Sequence, residues 1–259
     1  MITEDIEELF EKTLIGDYED ETPWEAVGAL RRIGSREVFD RAAEWCKSND
    51  PLVRARGIDV LAQLGKTVGH PSNNFPEEAY CVVSDLAQRE TELRPLASAV
   101  AALGHLDNPS AIPLITRFAT HSDSEIRFCV ACALGSFPND EGSAKMLLIL
   151  TDDAAEDVRD WATFGLGVLG DLDSNEIRDA LLRRLGDSNR DGREEAMTGL
   201  GKRRDERVLR SLVGALEMQA VSGRVIEADY LMLGMKSERD DWSAQDYAAS
   251  LRERFGLTK

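Results

Sequence analysis

The chain has 259 residues and carries 48 acidic against 31 basic side chains, a net charge of −17. Nucleic-acid affinity rests on Lys and Arg displacing counterions from phosphates, so this balance argues against DNA or RNA; an acidic surface serves solubility or steers toward a basic partner. Hydrophobic residues make up 42% and prolines number only 8, a composition that suits a globular core built from helices.

The opening residues, Met1-Ile2-Thr3-Glu4-Asp5, provide neither the basic nor the apolar part of a signal peptide. No apolar run reaches the length of a membrane span. Four scattered cysteines do not form a disulfide framework. The expectation is a cytoplasmic protein with free thiols and no membrane partner.

Thr3, followed by Glu4 and Asp5, is expected to open a first helix, with negative charge at the positive end of the helix dipole. From there the chain repeats itself. DPLVRARGIDVLAQLG, ETELRPLASAVAALG, DSEIRFCVACALG and EDVRDWATFGLGVLG end at Gly65, Gly104, Gly135 and Gly170, and a weaker copy, RDGREEAMTGLG, ends at Gly201. Their arginines, Arg54, Arg94, Arg127, Arg159 and Arg193, are 40, 33, 32 and 34 residues apart. Pro23 holds the same place upstream, and a degenerate copy runs from Arg224 to Gly234.

Three residues after each anchor stand Ala26, Gly57, Ala97, Val130, Ala162 and Ala196; seven after it stand Leu30, Leu61, Ala101, Leu134, Leu166 and Leu200. These positions share one face of a helix, so each copy predicts an amphipathic helix with that face in the core. The glycines after several of these helices suit left-handed caps. Val53, Leu93, Ile126 and Val158, directly before the arginines, are expected to fix where each helix begins. The arginines, with nearby Asp50, Glu90, Asp123 and Asp157, are expected to tie one repeat to the next.

Between the copies the sequence predicts partner helices over Ser35–Ser48, Pro76–Arg89, Pro109–Thr120, Glu141–Thr151, Asn175–Leu185 and Glu206–Gln219. Lys66–Phe75, with Gly69, His70, Pro71, Ser72, Asn73 and Asn74, interrupts the period and reads either as a functional loop or as a tolerated insertion. Ser243 with Asp246 starts a last helix carrying Tyr247, Leu251 and Phe255, expected to cap the stack.

The D-x-x-V-R-x-x-A pattern with its following Leu-Gly resembles HEAT repeats of the short bacterial kind also found in phycobilin lyase subunits. DVRDWATFGLG through GREEAMTGLGKRRDERVL is similar to the small YibA-like HEAT proteins of enteric bacteria. The resemblance covers nearly the whole chain and weakens before residue 35 and after 220. It implies an all-α fold, a right-handed α-α superhelix of about seven helical hairpins plus a C-terminal cap. The repeats then run over 1–34, 35–65, 66–104, 105–135, 136–170, 171–201 and 202–234, with the cap at 243–255, in a single solenoid spanning 1–259.

Catalytic candidates are few. Cys129 and Cys132 form a CxxC, but inside a repeat helix and without further ligands, so they read as helix-face residues. His70, His105 and His121 are followed by Pro71, Leu106 and Ser122, not by the glutamates that iron-dependent HEAT hydroxylases use. No metal, cofactor or catalytic residue is assigned.

In a HEAT-like solenoid the second helices line the concave surface, which places positions two, five and nine after each anchor in the groove. There stand Arg56, Asp59 and Gln63; Leu96, Ala99 and Leu103; Cys129, Cys132 and Ser136; Trp161, Phe164 and Val168; and Glu195, Thr198 and Lys202. An apolar middle with charged flanks resembles an interface core and rim, so Leu96, Cys129, Cys132, Trp161, Phe164 and Val168 are the candidate partner contacts. Ala62, Ala102, Gly135, Gly167 and Gly201 would let a partner approach the groove floor. For Trp161 and Phe164, packing between repeats is the competing role. The functional expectation is a non-catalytic scaffold for a protein or peptide, with an accessory or immunity-type protein as one form. The alternative is a phycobilin-lyase-like chromophore-binding protein.

Overall fold

The computed structural model describes residues 5–218 and 220–257, and among them every regular element is a helix. Its contacts gather into two compact units, Met1–Phe137 and Pro138–Lys259. Thr3 lies outside the described residues. Helix α1 (Ile6–Lys12) begins instead behind Asp5, whose carboxylate accepts from the Glu7 N–H. Cap choice explains most other starts. Ser35 accepts from Val38 ahead of α3 (Arg36–Trp45), and Asp50 accepts from Leu52 ahead of α4 (Pro51–Ala62). Each side-chain oxygen satisfies an N–H that the first helical turn leaves without a partner.

The first unit holds four hairpins. Helix α1 pairs with α2 (Glu21–Ile33), α3 with α4, α5 (Pro76–Arg89) with α6 (Leu93–His105), and α7 (Ile112–Thr116) with α8 (Ser124–Gly135). Second helices also pack in series, α2 on α4, α4 on α6 and α6 on α8. The helix expected over Pro109–Thr120 is shorter, because a 3₁₀ turn at Pro109–Ala111 precedes α7 and α7 ends at Thr116.

The second unit holds three hairpins and the closing helix. Helix α9 (Glu141–Leu150) pairs with α10 (Glu156–Phe164), α11 (Asn175–Arg184) with α12 (Arg190–Lys202), and α13 (Leu209–Leu216) with α14 (Gly223–Met232). Gln219, the expected end of the α13 segment, lies outside the described residues. Helix α15 (Ala244–Phe255) has the capping box anticipated at Ser243 and Asp246, buries Tyr247 and Leu251, and packs on α13 and α14.

Core positions three and seven after the anchors are buried, with Ala101 the half-exposed exception. Ile126 and Val158, just ahead of their arginines, are also buried, whereas Leu93 is exposed. The anchors do more than mark a period. The Nη1 of Arg54 donates to the Ser48 and Asn49 carbonyls, that of Arg127 to His121 and Ser122, that of Arg159 to Asp153 and Ala154, and that of Arg193 to Asp187 and Ser188. In each case the acceptors lie six and five residues upstream, in the turn between the two helices of a hairpin. Hydrogen bonds to a charged donor contribute about 1.5–3 kcal/mol each when desolvated.

The expected tie to the next repeat is seen at Arg54 and Arg159. Arg54 grips Glu90 at 2.6 and 2.9 Å, and Arg159 reaches Asp187 at 3.1 and 3.5 Å. Asp50 and Asp123 instead cap their own helices, and Asp157 stands in the first turn of α10.

The glycine reading holds for Gly34, Gly65 and Gly234, which have positive φ, and fails for Gly104, Gly135, Gly170 and Gly201. After Gly104 and Gly201 the left-handed residue comes three positions later, at Asp107 (φ 54°) and Arg204 (φ 50°). Gly104 and Gly201 are small for another reason. A Cβ on Gly104 would stand 2.6 Å from the Cα of Ala133, and one on Gly201 would strike the Ala228 carbonyl. Gly167 likewise faces the Glu195 carbonyl at 2.8 Å. Gly167 and Gly201 therefore admit the neighbouring helix of the stack, not a partner.

The 66–75 segment is half structural. Asn73 is buried, donates to the Leu61 carbonyl and accepts from the Phe75 N–H; Asn74 donates to the Gly34 carbonyl. Val68 stands fully exposed beside an isolated Thr67–His70 bridge.

Gly201→Ala is expected to lower stability by about 1–3 kcal/mol, because the Ala228 backbone cannot retreat cheaply. Gly214→Ala, in α13 with nothing within 4 Å of the new methyl, is expected to raise it by about 0.5–1 kcal/mol; urea unfolding of the pair reads both. Burial pushes the Asp187 carboxyl up, but hydrogen bonds from Arg159 and the Asn189 N–H, with the charges of Arg159 and Arg184, hold it at about 2 against an ordinary 3.8. A depressed carboxylate stabilises the fold above its unfolded pKa and loses that share as the pH falls through its folded one. Wild type is therefore expected to lose about 1–2 kcal/mol through Asp187 between about pH 4 and pH 2. Asp187→Asn lacks this share at neutral pH, so the two unfolding curves should converge in acid.

Candidate partner-binding face

The groove positions differ sharply between the units. In the first, the chain covers them itself. Arg56 is buried, donates to the Thr13 and Tyr18 carbonyls, pairs with Asp59, and stacks 3.9 Å from the centre of the Tyr18 ring. The Tyr18 hydroxyl donates to Asp59 Oδ2 at 2.6 Å and lies 2.9 Å from Ser98 Oγ. Burial, followed by the Asp59 charge, pushes the phenol well above its ordinary range, so it stays protonated as that donor. Arg94 lies 4.2 Å over the same ring and pairs with Glu19 at 3.1 Å. Residues 13–20 thus strap the faces of α4 and α6, and Arg94 serves the strap where the other anchors close a turn.

The candidate contacts of this unit follow from that packing. Leu96 and Cys129 are buried and Cys132 is half-buried, since α6 is held between α4 and α8 and has α5 behind it. Burial pushes the Cys129 thiol up to about 12, with the Glu125 charge adding to it, and raises that of Cys132 as well. Both remain thiols, poor nucleophiles and poor metal ligands. Among the described residues no group of three or more His, Cys, Asp or Glu is placed to hold a metal ion. His105, in the last turn of α6, is exposed; desolvation of its ring, followed by the charges of Arg31 and Lys66, lowers it below an ordinary histidine.

The second unit presents an open face. Trp161 is 39% exposed and meets Phe164 edge-on, ring centres 5.5 Å apart. Beside them lies a cavity of about 370 Å³ walled by α10, α12 and the start of α14. Asp160, Asp191, Glu194 and Glu195 line it, with Arg224 as the one cation. The Arg224 guanidinium sits 5.5 Å over the Phe164 ring. Volumes of this order suit small ligands or single side chains.

Val168 departs from the expected register. Gly165–Leu169 form a π turn, with the Gly170 N–H bonded to the Gly165 carbonyl at 2.9 Å. The cause is Arg203: its Nη2 donates to the Leu166 carbonyl at 2.9 Å, taking the acceptor that an α-helical Gly170 N–H would use. The wider turn moves Val168 off the line through Trp161 and Phe164, and its carbonyl accepts from Lys202 at 2.9 Å. Counting from the anchors singled out neither Asp160 nor Arg203. The adjacent pairs Asp160-Trp161 and Glu194-Glu195, at matching places in successive repeats, were the available signal for the cavity.

Residues 82–167 match the HEAT repeats family. Protein YibA of Escherichia coli K12 is 26% identical over 228 residues, 86% of this chain and 78% of YibA. The crystal structure of the E. coli protein aligns at a TM-score of 0.73 with 23% identity, covering 98% of this chain and 93% of that one. The chain folds as HEAT-like helical repeats. As such it also resembles phycocyanobilin lyase subunit alpha of Thermosynechococcus vestitus, at 26% identity over 152 residues, 58% of this chain and 55% of the lyase subunit. A designed armadillo repeat protein solved in complex with the peptide (KR)4 shares the fold at a TM-score of 0.51 and 15% identity, over 76% of this chain and 98% of its own. Among the described residues, no helix is long and apolar enough to cross a membrane.

All four cysteines are free, and Cys81 on α5 is the exposed one. In the folded protein a disulfide reagent at pH 8 is expected to label Cys81 rapidly and Cys46, Cys129 and Cys132 slowly, with all four reacting in denaturant. Peptide mapping of the early product checks the assignment.

Proposed function

We propose that the chain is a non-catalytic scaffold that binds a basic protein or peptide through the exposed side of α10 and α12. The observation that carries this reading is Trp161, 39% exposed beside Phe164 and next to a cavity with four carboxylates. Aromatic anchors in a half-open apolar setting dominate interface energetics, and the surrounding acids set the sign of the partner. The net charge of −17 adds long-range attraction for a basic chain. The armadillo protein that holds (KR)4 shows that a related repeat fold can hold such a peptide. Phe164 would form the floor, Val168 lies off that line, and Leu96, Cys129 and Cys132 shape the first unit from within.

One concrete form is an accessory or immunity-type protein that neutralises a basic toxin by covering it. Co-expression with such a toxin should then protect the cell through a complex that purifies intact. The similarity to a phycocyanobilin lyase subunit supports a second reading, a chromophore-binding protein. The carboxylates of the cavity oppose it, because they would repel the propionates of a bilin. A bilin absorption shift on mixing would favour that reading.

Trp161→Ala combined with Phe164→Ala is expected to abolish capture of the partner from a lysate of the native organism, at least tenfold by quantitative blotting. The far-UV circular dichroism should stay unchanged. A lost helical signal would place the two rings in the core.

A further inference from the structure

We infer that the cavity beside Trp161 receives one guanidinium group, an arginine side chain presented by a basic peptide. The inference deepens the scaffold reading and rests on it. It begins from an unmet demand. Glu195 is only 7% exposed, and among the described residues its Oε2 has no hydrogen-bond partner; the buried Oδ1 of Asp160 has none either. Both residues line the cavity. A buried carboxylate oxygen without a donor is costly, and an N–H donor entering the cavity would remove that cost.

The remaining charged groups are engaged or sit at the edge. Glu194 accepts from Arg190 Nε at 2.7 Å and from the Ser222 hydroxyl. Asp191 lies in the first turn of α12, where its own N–H is capped by Asn189. Arg224 pairs with Glu227 at 3.6 Å while lying over Phe164, which shows that a guanidinium fits against this aromatic wall. Trp161 offers a second ring.

Several cations would satisfy the charge, but the walls select among them. A guanidinium is planar, stacks on an aromatic face and donates in its own plane to two carboxylates at once. An ammonium is a compact, strongly hydrated point charge that cannot do both. A divalent metal needs several oxygens gathered at one point, and no such group occurs among the described residues.

Titration supplies an independent handle. Burial raises the Glu195 carboxyl to about 8; the charges of Asp160 and Asp191 push the same way and Arg224 opposes them. Burial also raises Asp160, with Asp191, Asp157, Asp187 and Glu156 adding to it. The free cavity thus holds a proton on Glu195 at neutral pH, and a bound guanidinium favours the ionised form and expels it. Affinity should therefore climb as the pH rises from about 6 to about 8.

The test uses the full chain with N-acetylarginine methylamide, its lysine counterpart, and a fluorescein-labelled (Lys-Arg)4 peptide. The arginine amide should shift the indole N–H resonance that disappears in Trp161→Phe, and the lysine amide should act at least tenfold more weakly. Glu195→Gln, nearly isosteric with the protonated acid, should keep the fold, weaken the arginine amide and the peptide at least tenfold, and flatten their pH dependence. Asp160→Asn provides a second variant, and Glu77→Gln, in the first turn of α5, should bind as wild type. A peptide that binds wild type and Glu195→Gln equally would overturn the cavity assignment and leave the scaffold reading standing. A peptide that binds neither would remove a basic partner and the guanidinium site together. Equal response to the arginine and lysine amides would reduce the effect to plain charge attraction and sink the proposal.

Discussion

Four of the seven hairpins among the described residues are closed by a guanidinium in the turn. The short turn joining two antiparallel helices holds carbonyls that belong to neither helix's hydrogen-bond ladder. Arg54, Arg127, Arg159 and Arg193 each donate to a pair of such carbonyls. A lysine has a single nitrogen and cannot grip two carbonyls while also forking onto a carboxylate, as Arg54 does with Glu90. The same residue therefore fixes the angle within a hairpin and the spacing to the next. That is why the arginine, more than any leucine, marks the period in the sequence.

Much of the architecture was legible because this constraint is local and repeats. The positions three and seven after each arginine are buried except for the half-exposed Ala101, and the cap at Ser243 forms as its residues suggest. What could not be read is non-periodic. The Tyr18 strap joins residues 41 and 80 positions apart, and no spacing rule links them. The glycines were visible but their purpose was not: Gly104 and Gly201 look like caps by position, yet each is small because a neighbouring backbone lies against it. The cavity needed a lateral comparison, since Asp160 and Glu195 belong to different repeats and sit at different offsets from their arginines.

The two units resolve the same geometric problem differently. In the first, a polar face on the stacked helices is filled by the chain's own residues 13–20, and Arg56 is buried under Tyr18 and Trp24. In the second, the corresponding face carries Trp161 and Phe164 beside Asp160 Oδ1 and Glu195 Oε2, which have no hydrogen-bond partner among the described residues. Tyr18 and Glu19 on Arg94 show what a satisfied face looks like: a ring over a guanidinium, with a carboxylate at its edge. The second unit also sets rings beside carboxylates, with the Arg224 guanidinium over Phe164.

The π turn after α10 has a consequence for how such a face can diverge. It holds one residue more than an α-helical turn without lengthening the element, and it persists because Arg203 occupies the Leu166 carbonyl. An α-helix rotates its side chains by about 100° per residue. A chain that lost one residue there, or exchanged Arg203 for a side chain too short to reach, would swing everything from Val168 onward around the axis while Trp161 stayed in place. A single deletion could thus recut the floor beside the rings and leave the hairpin stack unaltered.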